Sequence, residues 1–242
     1  MSKEIKPYDE ASDKKGQVSK MFNRIAPYYD LLNRVLSLGI DTVWRKKAIA
    51  MLKKNEPQMI LDVATGTADL ALETSRQLKV EQIIGVDIST QMLEIGREKI
   101  AKKGLSQIIQ LKEADSENLP FANNTFDAIT VAFGVRNFED LERGLSEMQR
   151  VLKPGGQLIV LEFSKPRLFP FRQIFNFYFK YILPLIGRIT SKDPKAYQYL
   201  YESVQAFPEG ERFLSILTKT GFKSNQCIPL TLGVCSIYSA EK

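Results

Sequence analysis

The stretch ILDVATGTADLAL, residues 60–72, decides the fold of this 242-residue chain. It is an apolar run that ends on an acid, passes through five small residues and resumes in a pattern typical of a helix. Open α/β sheets bind nucleotide-like ligands with a strand, a tight turn and a helix N-terminus, because the helix start offers unpaired N–H groups. Only Gly66 among the five small residues is a glycine, so the three-glycine dinucleotide fingerprint is not met. The turn alone leaves a cofactor site and an ordinary strand-to-helix connection equally open.

Strands and helices alternate on the C-terminal side of this turn. The pattern predicts strands over 59–64, 82–86, 108–112, 126–133 and 157–163, and helices over 69–78, 91–103 and 140–152. Crossovers of this length imply an α/β fold, a Rossmann-like, doubly wound and mostly parallel sheet with helices on both faces. A helix over 207–220 and strands over 223–229 and 232–240 add a C-terminal antiparallel hairpin and bring the sheet to seven strands.

A single domain over residues 1–242 is expected, because one core of this size needs no second domain. It divides into a helical N-terminal lid (1–57, broken at Pro27 and Gly39), a cofactor-binding core (58–165), a helical insertion on the substrate or lipid side (166–206) and a final helix and hairpin (207–242). The polar start and the absence of an apolar run of about 20 residues predict a cytoplasmic protein.

The chain contains no histidine, which limits the chemistry available to it. Ser-His and Cys-His nucleophiles, histidine-ligated zinc and an imidazole base are all excluded, and no metal is expected. A cofactor that carries its own reactivity is favoured instead. The net charge of +6 would suit nucleic acid or an anionic membrane, but no basic run with interleaved aromatic residues supports a nucleic-acid partner.

Acids follow the predicted strands at the edge where ligands bind. Asp62 lies in the first strand, Asp87 ends the second, and Asp115 with Ser116 follows the third. A carboxylate after the second strand can accept both hydroxyls of a ribose, and a carboxylate with a backbone N–H can bind the edge of an adenine. Each acid alone is more often a helix cap, but three in succession favour an adenosine-containing ligand.

With these motifs the chain resembles the class I S-adenosylmethionine-dependent methyltransferases, and within them the ubiquinone/menaquinone biosynthesis C-methyltransferases. The general motifs are LDVATGTAD, GVDIS, DSENLPF, FDAITVAFG and VLKPGGQLIVLEF; the narrower ones include MFNRIAPYYDLLN, FGVRNFED, EFSKP and YQYLYESVQAFP. The resemblance covers nearly the whole chain and implies S-adenosylmethionine as cofactor. It implies that Gly66 and Thr67 contact the methionine part, Asp87 the ribose, and Asp115 with Ser116 the adenine.

Three further positions follow from the resemblance. Asp62 would orient the loop or bind the ammonium group through water, and Tyr29 would cover the cofactor as part of the lid; the alternative for Tyr29 is a plain core residue. The family commonly has glycine at the positions of Thr65 and Ala68, so a tighter loop that still binds the cofactor is expected.

The same resemblance implies methyl transfer to a ring carbon of a demethylated quinol, most like demethylmenaquinone methyltransferases, with the ubiquinone pathway or another lipid or small phenol as alternatives. A non-catalytic lipid binder is the remaining hypothesis. Arg136 and Asn137 follow the fourth strand; Arg136 would stabilise a developing phenolate or hold a water that relays the proton, and Asn137 would fix that water. The alternative is an Arg136 that only pairs with Glu139 or Asp140.

The segment over 171–186 is apolar on nearly every face, since its polar positions Arg172, Asn176 and Lys180 recur every four residues. Such a helix is buried on most sides or lies against lipid. It is expected to form a wall of a channel for an isoprenoid tail, to pack as an ordinary helix, or to make peripheral contact with the inner face of a membrane. A homo-oligomer is also compatible with the sequence.

Overall fold

The computed structural model describes residues 5–8, 12–182 and 193–242. The helices are α1 (Lys14–Leu36), α2 (Ile40–Ala50), α3 (Asp69–Gln77), α4 (Thr90–Lys102), α5 (Leu141–Val151), α6 (Phe171–Phe177), α7 (Pro194–Ala206) and α8 (Glu211–Lys219). The strands are β1 (Met59–Val63), β2 (Gln82–Asp87), β3 (Ile109–Glu113), β4 (Phe126–Ala132), β5 (Leu152–Phe163), β6 (Lys223–Leu230) and β7 (Cys235–Glu241). A π-helical turn, Tyr178–Ile182, extends α6.

The seven strands form one sheet in the order β3-β2-β1-β4-β5-β7-β6. Strands β1 to β5 are parallel, whereas β7 runs antiparallel between β5 and β6. The predicted mostly parallel, doubly wound sheet with a C-terminal hairpin is confirmed. Strand order reverses at β1, which pairs with β2 on one side and β4 on the other, so the ligand-binding crevice is expected beyond the carboxyl ends of β1 and β4.

Both faces of the sheet are buried, as the near-continuous apolar strands require. Leu61 and Val63 of β1 pack with α5 and α8 on one face, and Ile60 packs with α2, α3 and α4 on the other. A third apolar cluster joins α1 to the start of α4 and to α6 and α7, and includes Met92 and Tyr197. This third cluster places α1, α6 and α7 beside the first turn of α4.

Two helix boundaries differ from those predicted. Helix α1 does not break at Pro27 but runs through it, because Pro27 is exposed and burial of Met21 and Leu32 on the opposite side holds the helix together. The helix predicted from 207 begins only at Glu211, since Gly210 adopts a φ of 63° that a right-handed helix cannot include.

The insertion contains a helix that the pattern did not separate from its surroundings. Pro194 stands at the start of α7, and the side chain of Asp193 accepts a hydrogen bond from the backbone N–H of Ala196. A capping acid followed by proline is an ordinary signal of a helix start. The apolar segment predicted over 171–186 is described as far as Ile182; its remainder lies outside the described residues.

Candidate active site

The loop after β1 turns sharply by means of three residues with positive φ. Ala64, Gly66 and Ala68 have φ values of 52°, 56° and 65°. Ala68 stands where the family commonly has glycine, and the left-handed conformation costs an alanine about 1 kcal/mol. The backbone N–H of Thr65 donates to the carbonyl of Val86 (3.0 Å), which fixes the loop to the end of β2.

Asp62 is buried beneath this loop. Its carboxylate accepts hydrogen bonds from the hydroxyls of Thr65 (2.6 Å) and Thr130 (2.7 Å). Burial raises the pKa of Asp62 to about 6, although the two hydroxyls and the positive field of Arg45 oppose the rise. Through Thr65, Asp62 ties the loop to the sheet.

Asp87 lies at the carboxyl end of β2 and holds the other side of the loop. Its carboxylate accepts from the backbone N–H groups of Gly66 (2.8 Å) and Ser89 (2.9 Å). Burial raises its pKa, against the effect of these hydrogen bonds. The Asp87 carboxylate therefore fixes the loop while it faces the slot described next.

A narrow slot of about 70 Å³ runs along the carboxyl ends of β1, β2 and β4. The structure brings most of the predicted cofactor residues together there, since Gly66, Asp87, Asp115 and Ser116 all line the slot. Helix α1 covers one end, where Lys15 lies 2.6 Å from Asp115 and 3.0 Å from Glu117.

A smaller inner pocket of about 20 Å³ continues the slot beyond Gly66. Asp62 and Thr67 line this inner pocket and not the slot. The hydroxyl of Thr67 donates to Asp30 of α1 (2.6 Å) and accepts from Lys99 of α4 (2.9 Å). Lys99 also lies 2.6 Å from Asp30, so this cluster attaches α1 to the sheet at a second point.

On the other side of β4 lies an apolar cavity of about 330 Å³. Its lining comes from α1, α2, the end of β5, α6 with the π-helical turn, α7 and the segments after β4 and β6. It includes Met21, Ile25, Leu32, Trp44, Phe163, Phe171, Ile174, Phe175, Tyr178, Tyr197, Leu200 and Leu232. Four residues line both the cavity and the slot: Phe22, Tyr29, Phe133 and Asn137. The two spaces therefore meet at these four side chains, which we call the junction.

Arg136 lies beside the junction and lines the cavity. The predicted alternative, in which Arg136 pairs with Glu139 or Asp140, is wrong: its guanidinium lies 2.8 Å from Glu162 of β5. Asp140 instead caps α5 by accepting from the backbone N–H of Arg143 (2.9 Å). The guanidinium of Arg136 also donates to the carbonyl of Phe133, and burial raises the pKa of Glu162 although Arg136 opposes the rise.

Several buried polar atoms around the junction have no hydrogen-bond partner. They include Nε of Arg136 and Oδ1 of Asn137, and both residues line the cavity. Buried polar groups are nearly always paired, so unpaired ones in one place indicate a ligand with oxygen atoms or an ordered water. The cavity thus combines apolar walls with a small polar end, the usual composition of a small-molecule site.

Comparison with known proteins decides which kind of site this is. The model of the ubiE/COQ5 methyltransferase family matches residues 9–242. The chain belongs to that family. Relatives that share nearly its full length include a demethylmenaquinone methyltransferase of Bacteroides fragilis (52% identity, 98% of this chain and 97% of that protein) and one of Porphyromonas gingivalis (45%, 98% of each). The ubiquinone/menaquinone biosynthesis C-methyltransferase UbiE of Geotalea daltonii is 46% identical over 96% of this chain and 98% of that protein.

Solved structures support the same fold at lower identity. A SAM-dependent methyltransferase of Thermotoga maritima has a TM-score of 0.64 at 21% identity, over 92% of this chain and 99% of that chain. A phosphoethanolamine N-methyltransferase of Haemonchus contortus, in complex with S-adenosyl-L-methionine, has a TM-score of 0.58 at 18% identity, over 81% and 52%. At such identities the likeness shows the fold: this member of the ubiE/COQ5 family has the Rossmann-like fold of S-adenosylmethionine-dependent methyltransferases.

The cofactor of this methyltransferase is S-adenosylmethionine, and the described residues fit it chemically. The slot offers the carboxylate of Asp87 at a strand end, and the inner pocket offers Asp62 and Asp69. These acids suit a ligand that carries more positive than negative charge. At about 70 Å³ the slot is smaller than the roughly 300–1,000 Å³ of typical ligand pockets.

Two important residues were missed by sequence reasoning. Glu162 is an acid inside the apolar run LIVLEF, and an unexplained charge in a central strand is itself a signal of a buried partner. Arg45 follows Trp44 on α2 and lines both the cavity and the inner pocket. No feature of its surroundings in the sequence distinguishes it from the lysines that follow.

Proposed function

We propose that this chain methylates a ring carbon of demethylmenaquinol, with S-adenosylmethionine as methyl donor, to give menaquinol. The observation that carries the proposal is the junction, where a slot for the cofactor and a 330 Å³ apolar cavity share Tyr29, Phe133 and Asn137. An apolar cavity with a polar end matches a prenylated quinol, which has a long apolar tail and two ring hydroxyls. The relatives from Bacteroides fragilis and Porphyromonas gingivalis, both named as demethylmenaquinone methyltransferases, support menaquinol over the ubiquinone pathway.

The bound cofactor would supply an electrophilic methyl group on its sulfonium sulfur. The protein's task is to hold the ring carbon against it and to favour loss of the proton from a ring hydroxyl, because the phenolate oxygen feeds electron density into the ring. Arg136 stabilises the negative charge that develops on that oxygen, using the unpaired Nε–H. Asn137 Oδ1 accepts from a water that relays the hydroxyl proton to solvent. After methyl transfer the ring carbon loses its proton and the ring oxygen regains one, so one proton is released for each methyl group.

Arg136 does not serve as the base. A guanidinium is a poor base, and that of Arg136 lies in an ion pair with Glu162 at 2.8 Å. Tyr29 covers Gly66, where an added methyl group would lie 3.9 Å from the tyrosine ring. Burial raises the pKa of Tyr29, against a side-chain hydrogen bond with Asn33 and the positive fields of Arg136 and Arg45, so Tyr29 acts as a neutral wall.

Reduced demethylmenaquinol with a methyl-labelled cofactor tests this function directly. We expect one labelled methyl on the ring, located by mass spectrometry of the fragmented product. Label on a ring oxygen, or turnover confined to demethylated ubiquinol precursors, would contradict the proposal. Absence of any label with a bound cofactor would favour the non-catalytic binder.

We further propose that the mouth of the cavity contacts a membrane. Leu38 (83% exposed) and Ile174 (60%) line the cavity and also face solvent, and Phe169 (81%) lies just before α6. Residues 164–182 carry four cationic side chains and no acid, which favours anionic lipid headgroups. No helix among the described residues is long and apolar enough to cross a bilayer, so such contact would be peripheral.

Vesicle flotation separates this proposal from a closed, lipid-independent cavity. Phe169→Ser and Leu38→Ser should reduce binding to vesicles that contain anionic lipid. Ile228→Ser provides the control, because Ile228 is an exposed residue of β6 that does not line the cavity. Equal binding by all variants would remove the membrane from the proposed function.

A further inference from the structure

The inner pocket contains one positively charged side chain that the proposed reaction does not use. Among the described residues that line it, Arg45 is the only cation, beside the acids Asp62 and Asp69. The pocket adjoins the slot at Tyr29 and Gly66, which line both. It therefore lies next to the residues proposed to hold the cofactor.

Arg45 is held rigidly at this position. It pairs with Asp41, one turn earlier on α2, and its guanidinium lies 3.9 Å from Asp69 and 5.8 Å from the centre of the Phe133 ring. The contact with Asp41 uses one terminal nitrogen, and a separation of 3.9 Å from Asp69 is too long for a hydrogen bond. N–H groups of the fork therefore remain available. Burial lowers the pKa of Arg45, but Asp69 and Asp41 outweigh it and keep the side chain charged.

A second feature of the inner pocket also attracts a negative group. Helix α3 begins at Asp69, and Asp69 and Leu70 of its first turn line the pocket. The preceding residue, Ala68, offers no side-chain cap, so the first backbone N–H groups of α3 lack a capping partner. Unpaired N–H groups at a nine-residue helix start add to the field of Arg45.

We propose that Arg45 binds the carboxylate of the cofactor's amino-acid end, together with the first N–H groups of α3. The inference rests on the proposed function, because it takes the ligand of the slot to be S-adenosylmethionine. A guanidinium matches the two oxygens of a carboxylate with two parallel hydrogen bonds. Asp62 then faces the positive charge of the ammonium group, while Asp69 is already paired with Lys99 at 2.6 Å, so the inner pocket recognises a zwitterion rather than a simple cation.

Arg45 also lines the cavity, and its alternative role would be to bind the second ring oxygen of the quinol. Its position favours the cofactor, because the guanidinium approaches Asp69, which lines the inner pocket and not the cavity. The positive field of Arg45 also acts on Asp62 of the inner pocket. The alternative is an outcome of the experiment.

Calorimetry with S-adenosylmethionine and its decarboxylated form, which lacks only the carboxylate, tests the proposal. The wild type should bind the complete cofactor about 10- to 100-fold more tightly. Arg45→Met should reduce this preference to within about threefold, and Arg45→Lys should retain part of it. Asp41→Asn combined with Arg45→Met avoids an unpaired buried carboxylate. The matched control, Glu162→Gln combined with Arg136→Met, removes the other buried arginine of the cavity together with the charge of its partner and should keep the full preference.

Each other outcome is decisive. If Arg45→Met lowered the affinity for both ligands equally, the role of Arg45 would be purely structural. An unchanged preference together with a higher KM for the quinol would assign Arg45 to the ring oxygen. If the folded wild type bound neither ligand, the proposed function itself would fail, irrespective of Arg45.

Discussion

The carboxylate of Glu162 holds the guanidinium of Arg136 at 2.8 Å, and their side chains are 0% and 7% exposed. A buried pair of this kind fixes orientation, while removal of one partner leaves an uncompensated charge that costs about 3–5 kcal/mol. Arg136 therefore faces the junction in one orientation before any substrate arrives. Preorganised positive charge of this type stabilises a transition state without reorganisation.

Removal of the Arg136 charge should slow turnover more than it weakens binding. We expect Arg136→Ala in a Glu162→Gln background to lower kcat by about 10²–10³, with the Kd for S-adenosylmethionine nearly unchanged, since the phenolate charge develops only in the transition state. Glu162→Gln alone is the matched control, and Arg136→Lys should rescue part of the loss. Steady-state assays with a soluble, reduced demethylquinol report both constants. Wild-type turnover by the double variant would exclude this role for Arg136.

Asp87 should contribute strongly to cofactor affinity. Asp87→Ala removes the acceptor for Gly66 and Ser89 as well as the proposed ribose contact, so we expect a loss of roughly 1.5–3 kcal/mol in binding. Asp127→Asn is the matched control, because Asp127 also accepts from two backbone N–H groups but belongs to the first residues of β4, at the opposite edge of the sheet. Calorimetry should show weaker binding of S-adenosylmethionine by folded Asp87→Ala than by folded Asp127→Asn. Equal affinities of the two variants would exclude Asp87 from the cofactor site.

Changes in the part of the cavity wall that α6 forms should lower the turnover of quinols with long tails more than that of quinols with short tails. Ile174→Asn is expected to lower kcat/KM about tenfold for long-tailed quinols and little for short-tailed analogues, because the lost apolar contact is with the tail. Phe177→Asn offers a close comparison, since Phe177 lies on the same helix with similar exposure (58%) but does not line the cavity. A similar loss on both substrates would mean that Ile174 serves packing and not the tail.

The raised pKa of Asp62 predicts a distinct pH dependence of stability. An acid with a folded-state pKa of about 6 binds its proton more tightly in the folded than in the unfolded chain. Its contribution is therefore fully present below about pH 4 and declines as pH rises through 6. Urea unfolding at several pH values should show the wild type losing up to roughly 3 kcal/mol relative to Asp62→Asn across that window.

Cofactor binding should shift the protonation equilibrium of Asp62. Positive charge in the inner pocket favours the ionised form of Asp62, so the affinity for S-adenosylmethionine should rise between pH 5 and 7 with release of a proton. Calorimetry in buffers of different ionisation enthalpy measures that proton. In Asp62→Asn the pH dependence should disappear; its persistence would point to another titrating group.

Local signals explain why so much of the sheet was predictable. The end of β1, the acid that closes β2 and the hairpin of β6 and β7 each follow from apolar runs bounded by turn residues. Asp87, Asp115 and Gly66 were brought to one slot because parallel strands end at the same edge. The family resemblance supplied the substrate class, which periodicity alone could not.

The remaining features depend on contacts between distant parts of the chain. Arg136 reaches Glu162 because the turn after β4 lies against the end of β5, where the backbone N–H of Phe133 donates to the carbonyl of Leu161 (2.7 Å). Spacing along the sequence does not reveal this relation. The contacts of Thr67 with Asp30 and Lys99 are equally non-local. At Pro27 a local signal predicted a helix break that does not occur. Burial of other α1 residues in the third apolar cluster keeps the helix continuous through the proline.

Because ion pairs hold α1 at two points, the rate of cofactor exchange should depend on the salt concentration, whereas the rate of methyl transfer should not. Lys15 with Asp115 and Lys99 with Asp30 are ion pairs whose side chains are about a quarter to a third exposed, so added salt weakens both. Rapid-mixing experiments should show faster release of S-adenosylhomocysteine as potassium chloride rises, with a smaller effect in Lys99→Met. When departure of this spent cofactor limits turnover, the ionic strength of the surroundings sets the pace of the enzyme.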